Sequence, residues 1–191
     1  VLGVNASEQF GGLGLKATDA VMVLERFATV STAAAFPVFE ALVGPVRIIE
    51  KFGTSELSQR IVPAVIAGDM VVAISMSEPG AGTALTDLTT RARIDGDDIV
   101  LNGTKRWCSG GGSADAYVVF CRLSDEPGAR GIGAVLVEAD TPGVSFGEPE
   151  KLMGWRGVPS ADIHLDEVRI PRENLLIEAG GFSRLMGAFN L

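Results

Sequence analysis

The chain has 191 residues, of which 47% are hydrophobic, and its 16 basic and 24 acidic side chains leave a formal net charge of −8. The apolar share is enough for a packed core and excludes a disordered chain. The acidic balance argues against a nucleic-acid partner, which needs a basic stripe, and against an anionic membrane surface.

In chain order, residues 17–67 read as helical. Val21, Leu24, Phe27 and Ala28 recur at helical spacing, with Thr18 and Asp19 as start signals. Phe36, Phe39, Leu42, Val46, Ile49 and Phe52 continue the period, and Pro37 and Pro45 are expected to start or kink helical pieces. Gly53 stops that run, Thr54 is the N-cap of a further helix, and Gly68 ends it. Glu40, Arg47, Glu50 and Asp69 interrupt the apolar stretches, so no segment is expected to reach the ~18–20 residues that span a bilayer.

The pattern changes after Asp69. Strands are expected over residues 70–76, 88–94, 99–101, 116–122, 132–138, 144–146 and 161–170, with turns at Asp95-Gly96 and Asn102-Gly103. Such spacing indicates an antiparallel sandwich or barrel. Residues 171–174 close the β region, and an apolar-periodic tail after Gly180-Gly181 begins another helix. Helix-only and strand-only blocks in series imply an α+β chain rather than a βαβ sheet. The expected division is 1–69 helical, 70–173 β and 174–191 helical. Both ends read as internal to a larger protein.

Several residues look chemical, and a structural reading is expected for each. Gly11-Gly12-Leu13-Gly14-Leu15-Lys16 lacks phosphate-loop spacing and follows no strand. GARGIG at 128–133 precedes a strand, so a hairpin loop is expected there. His164 is the sole histidine and sits in a strand pattern, which leaves almost no material for a Ser-His-Asp or multi-histidine metal site. Cys108 and Cys121 form no CxxC pair; they suggest a reducing compartment, the cytoplasm.

Two stretches remain: SMSEPGAGT at 75–83 and KRWCSGGG at 105–112. Each places hydroxyl residues and glycines at a strand end. Glycine lets a backbone N–H approach a ligand with no Cβ in the way, and short hydroxyls and backbone donors suit flat heterocycles and phosphates. From spacing alone, two turns and a core tryptophan explain the same residues.

In this order, the two stretches resemble the acyl-CoA dehydrogenase family of flavoproteins, whose middle domain carries Thr/Ser-Glu-Pro-x-Ala-Gly-Ser-Asp and then Lys-x-Trp-Ile-Thr/Ser. EQFGGLG at 8–14, FGT at 52–54, KLMGWR at 151–156 and VRIPRENLL at 168–176 are similar to further family landmarks, so the resemblance covers nearly the whole chain. It implies N-terminal helices, a middle β domain and a C-terminal four-helix bundle, with FAD between the last two. It implies a flavin wall on Ile74, Ser75, Met76, Ser77, Glu78, Gly82, Thr83, Trp107, Cys108 and Ser109. Ser77 would hydrogen-bond the isoalloxazine edge, Thr83 would lie near the pyrophosphate and the thioester, Trp107 beside the ring and Ser109 toward its N5 side. Acyl-CoA would be met by Thr83, Val158 and Ser160.

The implied reaction is α,β-dehydrogenation of an acyl-CoA, with an electron-transfer flavoprotein as acceptor and a homodimer or homotetramer as the assembly. The family's catalytic Glu would lie beyond Leu191, so no base is assigned in this chain, and no metal is expected. Two departures stand out: Thr83-Ala84 replaces Ser-Asp, and Val158 stands where a serine is common. Acyl-CoA oxidase or nitroalkane oxidase chemistry on the same fold, or a non-catalytic binding module, are the competing readings.

Overall fold

The computed structural model describes residues 1–188. Four helices come first: α1 (Ala17–Ala28), α2 (Thr32–Leu42), α3 (Pro45–Phe52) and α4 (Ser55–Ala67). Their ends reflect local chemistry. The Asp19 carboxylate accepts from the Lys16 backbone N–H (2.9 Å), Ser31 Oγ accepts from Ala34 N (3.2 Å) and Thr54 Oγ1 from Leu57 N (3.1 Å). Pro45 opens α3, whereas Pro37 lies inside α2. Gly68 closes α4 at φ 86, a left-handed conformation that suits glycine.

One expectation is corrected here. Thr32–Phe52, 21 residues, is long and apolar enough by composition to cross a bilayer. The fold divides it into α2 and α3 around Val43 and Gly44, and 56% of its most apolar window is buried inside the protein, as in the core helices of a folded domain.

Eight strands come next: β1 (Val72–Ser75), β2 (Arg91–Asp95), β3 (Asp98–Ser109), β4 (Ala116–Arg122), β5 (Ile132–Glu138), β6 (Val144–Phe146), β7 (Ser160–Pro171) and β8 (Leu175–Ile177). They form one sheet in the order β6-β7-β3-β2-β4-β5-β8, with β1 paired in parallel to β4. Most pairs are antiparallel, and the sheet is not closed. β8 pairs with β5, so the sheet continues past residue 173, into the part expected to be helical. A short helix, α5 (Phe182–Gly187), comes after it. Residues 189–191, the end of the expected helical tail, lie outside the described residues.

Asn102-Gly103 is not a turn. It lies inside β3, where the register with β7 shifts. Asn102 clasps the opposite backbone: its Oδ1 accepts from Glu167 N (3.0 Å) and its Nδ2 donates to the Glu167 carboxylate (2.6 Å). A Cβ on Gly103 would lie 2.5 Å from Thr90 Oγ1, so β2's approach demands glycine there.

The continuous apolar runs of β4 and β5 have a simple cause: both faces of these strands are buried. Val118, Phe120, Ala134 and Leu136 join a core with Ile48, Ile49, Leu57 and Ile61 of the helices. Tyr117, Val119, Val135 and Val137 point the other way, into a core with Ile99, Leu101, Ile163 and Leu165. The decoys resolve as structural. Gly12 packs on the Ala6 carbonyl, where a Cβ would clash. Gly128–Gly131 is a short helical turn into β5. His164 is exposed on β7, with Nδ1 3.4 Å from Thr104 Oγ1.

Candidate functional site

β1 leaves the core and delivers the 76–84 loop to the rim of the sheet, beside β3. Two contacts pin it there: Arg106 N donates to the Ser77 carbonyl (2.8 Å), and Lys105 Nζ donates to the Met76 carbonyl (3.0 Å). Lys105 also meets Glu78 Oε1 at 2.8 Å, with side-chain exposures of 0% and 2%. The Glu78 carboxylate further accepts from Thr89 N, Thr89 Oγ1 and Thr90 N at 2.7–2.9 Å. Burial alone would raise the Glu78 carboxyl; the Lys105 ammonium and these hydrogen bonds overcome it and hold the group at about 2. Burial also pulls the Lys105 ammonium below its ordinary value, against the attraction of Glu78. With Glu78 so acidic, its carboxylate is ionised at neutral pH.

Reciprocal backbone bonds between Glu78 and Ala81 (2.9 and 3.1 Å) then turn the chain tightly. Gly80 and Gly82 need neither a positive φ nor a close contact: a Cβ on either would meet open space. Their missing side chains serve no packing in this chain and leave the loop's outer face bare.

The facing wall is the end of β3. Its register with β7 shifts between Lys105 and Cys108, and Trp107 takes φ 52. A bulky residue at positive φ costs on the order of 1–3 kcal/mol. The strain turns the indole outward: Trp107 is 58% exposed, with the Arg106 guanidinium 5.0 Å from its ring centroid. Arg106 is itself held by Asp162 (2.7 Å) and Glu150 (3.2 Å). Ser109 pairs with Ser160 across the sheet, and Gly110 N donates to the Pro159 carbonyl (2.8 Å). Beyond it the Tyr117 hydroxyl donates to Gly110 O and accepts from Gly112 N, each at 3.0 Å, which fixes the glycine run.

Next to this rim lie two neighbouring hollows. A cavity of about 160 Å³ opens between α2 and the β3–β4 turn, lined in part by Phe36, Glu40, Ala73, Ser109, Ser113 and Val158. An open cleft of about 560 Å³ carries Lys151, Trp155 and Arg156. The two share Gly157, Val158 and Pro159 as a common wall. Trp155 closes the corner by packing on Phe36 at 4.8 Å between centroids. Glu40 is 4% exposed, and burial pushes its carboxyl up to about 8.

The expected residues thus meet on one rim, in two groups. Ile74, Met76, Ser77 and Ser109 are half-buried, and Gly82, Thr83 and Trp107 are exposed, all able to present atoms outward. Ser75, Glu78 and Cys108 are enclosed. The Glu78 carboxylate is consumed by internal contacts. The Cys108 thiol donates to the Ile74 carbonyl (3.2 Å), and burial pushes it up to about 12. Val158 and Ser160 are buried too, at 8% and 6%, though Val158 lines the cavity. Sequence reasoning missed roles for Lys105, Tyr117 and Glu40. The signal for Glu40 was present: one acid within the apolar run FPVFEALVG of α2.

Comparison with known proteins places these observations. Residues 73–168 match the family described as acyl-CoA dehydrogenase, middle domain, and residues 1–69 match acyl-CoA dehydrogenase, N-terminal domain. The mitochondrial isobutyryl-CoA dehydrogenase of Dictyostelium discoideum is 37% identical over 191 residues, 98% of this chain and 45% of that protein. Butyryl-CoA dehydrogenase from Megasphaera elsdenii superposes with a TM-score of 0.91 at 29% identity, covering 98% of this chain and 50% of that one. An FAD complex of PigA superposes with a TM-score of 0.92 at 25% identity, with the same coverage. The chain spans about half the length of the relatives it matches.

Proposed function

The chain belongs to the acyl-CoA dehydrogenase family, and we propose that it forms the substrate-side and flavin-side wall of an FAD-dependent enzyme that introduces a double bond between Cα and Cβ of an acyl-CoA. The catalytic base and the opposite wall would come from a further helical part, in a subunit about as long as the relatives. An electron-transfer flavoprotein is the proposed acceptor, and a homodimer or homotetramer the assembly.

One observation carries this reading: the cation-bearing cleft and the narrow cavity share a wall, and Ser109 at the flavin-side rim also lines the cavity. A coenzyme A thioester has the matching shape, an anionic nucleotide end and a slim acyl end. Lys151 and Arg156 meet its phosphates, and the acyl chain passes Val158 into the cavity. The residues fit a flavin as well. Gly80 and Gly82 leave an open loop face with backbone donors, and the strained Trp107 presents a flat indole beside it. Met76, Ser77, Thr83, Trp107 and Ser109 would hold it, and bound flavin supplies the two-electron acceptor. Ser77 and Ser109 donate toward its polar edge, where a bond to a charged partner is worth about 1.5–3 kcal/mol. Thr83 keeps the hydroxyl of the family's serine, and Ala84 leaves that turn without a carboxylate.

The test uses the full-length protein. It should purify yellow, and anaerobic addition of butyryl-CoA should bleach the flavin. Ser77→Ala with Ser109→Ala should weaken FAD binding and slow the bleaching. A colourless protein that takes up no FAD on titration would falsify the proposal. Rapid reoxidation by oxygen alone would favour an oxidase.

A further inference from the structure

The Met76–Ser77 peptide is where the buried Lys105–Glu78 pair reaches the rim. Its carbonyl accepts from Lys105 Nζ (3.0 Å), and the Lys105 side chain is wholly enclosed, with 0% exposure. Every peptide bond among the described residues is trans. In a trans peptide the C=O and the N–H point in opposite directions. A carbonyl tied to an interior group therefore aims the Ser77 N–H away from the interior. That N–H has no hydrogen-bond partner among the described residues, and Ser77 is half-buried at the flavin-side rim. The carbonyl of Ser77 is itself taken by Arg106 N (2.8 Å), so two neighbouring residues of β3 fix the backbone on both sides of Ser77. Folded chains seldom leave an amide so placed without a partner.

We propose that Lys105 is a positioning residue for the bound flavin: it turns the Ser77 N–H toward the cofactor and polarises it, so that the protein favours the reduced flavin over the oxidised one. The proposal rests on the flavin reading of this rim and deepens it, because Lys105 acts through a peptide and does not touch the cofactor. A carbonyl that accepts a charge-assisted hydrogen bond draws electron density from its own amide, and hydrogen bonds linked in a chain strengthen one another. Glu78 supplies the counter-charge that lets an ammonium persist in this enclosed place, since a buried carboxylate demands a cation beside it. The ammonium is the member of the pair that contacts the Met76 carbonyl; the carboxylate is bonded instead to Nζ, Thr89 and Thr90. With side-chain exposures of 0% and 2%, solvent screens the pair weakly. Two-electron reduction adds negative charge to a flavin, and a fixed, strengthened donor stabilises a charged partner more than a neutral one.

The experiment uses the full-length protein. Anaerobic equilibration with a reference dye gives the flavin's two-electron reduction potential, and fluorescence titration gives the Kd of oxidised FAD. Lys105→Met combined with Glu78→Gln removes both buried charges together. It should lower the equilibrium constant for flavin reduction about tenfold, ~30 mV for a two-electron couple, while the Kd of oxidised FAD changes by less than about threefold. Thr89→Val deletes one anchor of Glu78 but keeps both charges; it should lower the melting temperature and leave the potential where it was. Ser77→Pro deletes the N–H itself and should lower the reduction constant below that of Ser77→Ala by a factor similar to the double variant's. This second pair decides the matter if the double variant does not fold. An unmoved potential in the double variant, an equal shift in Thr89→Val, or equal potentials in Ser77→Ala and Ser77→Pro overturns the proposal and leaves the flavoenzyme reading intact. A protein with no substitution that binds no FAD overturns both.

Discussion

At the scale of single residues, two buried acids with opposite titration behaviour dominate the site. Glu78 is held at about 2 in the folded chain. The contribution of its ion pair is therefore complete above the ordinary carboxylate pKa and fades as the pH falls from about 4.5 toward 2. Lys105→Met leaves that carboxylate buried without its cation and should destabilise the protein by about 3–5 kcal/mol in urea unfolding at pH 7. The double variant with Glu78→Gln should lose less than the sum of the singles. Glu40 works the other way. Its folded carboxyl keeps its proton up to about pH 8, while the unfolded one releases it near 4.5. Its favourable burial is complete below 4.5 and diminishes as the pH rises toward 8. Glu40→Gln should flatten that decline and raise stability at pH 8.5 by on the order of a few kcal/mol. Chemical melts at pH 5.5 and 8.5 check this; an identical slope in both proteins refutes it.

At the scale of elements, the glycines divide into two kinds that sequence alone does not separate. Gly103 is required by packing: a Cβ there would sit 2.5 Å from Thr90 Oγ1, at φ 153. Gly103→Ala should cost about 1–3 kcal/mol. Gly80 meets nothing, so Gly80→Ala should leave the melting temperature within about 2 °C, because surface changes are near neutral. On the flavin reading it should still weaken FAD binding, which a fluorescence titration measures. The same contrast explains why Asn102-Gly103 reads as a turn and folds as a bulge. Asn-Gly favours positive φ wherever it occurs. Its neighbours in space, Glu167 of β7 and Thr90 beside β2, decide whether the chain reverses or continues.

For the molecule as a whole, β4 and β5 are shared property. Alternate residues of each strand serve the helix-side core and the intra-sheet core, so neither can dissolve alone. Far-UV circular dichroism and tryptophan fluorescence should therefore report one coincident urea transition; separated midpoints would show independent halves. The helical block, the positions of most strands along the chain and the two motif stretches were legible in the sequence, because helical and strand periodicities and turn residues are local signals. So was the convergence of the SEPGAG and KRWCS segments, through the family resemblance. The parallel pairing of β1 with β4, strand β8 and the open sheet were not, because pairing partners are chosen across the fold. Equally hidden was the split among the expected site residues. Glu78 and Cys108 belong to the motifs, yet their side chains point into the protein, toward Lys105 and the Ile74 carbonyl. Composition and local pattern determined that this chain has a helical block, a β block and a glycine-rich rim. Which rim atoms face outward, and that one acid of α2 is buried beside a cavity, was decided by tertiary packing, since burial and charge pairing exist only once distant segments meet.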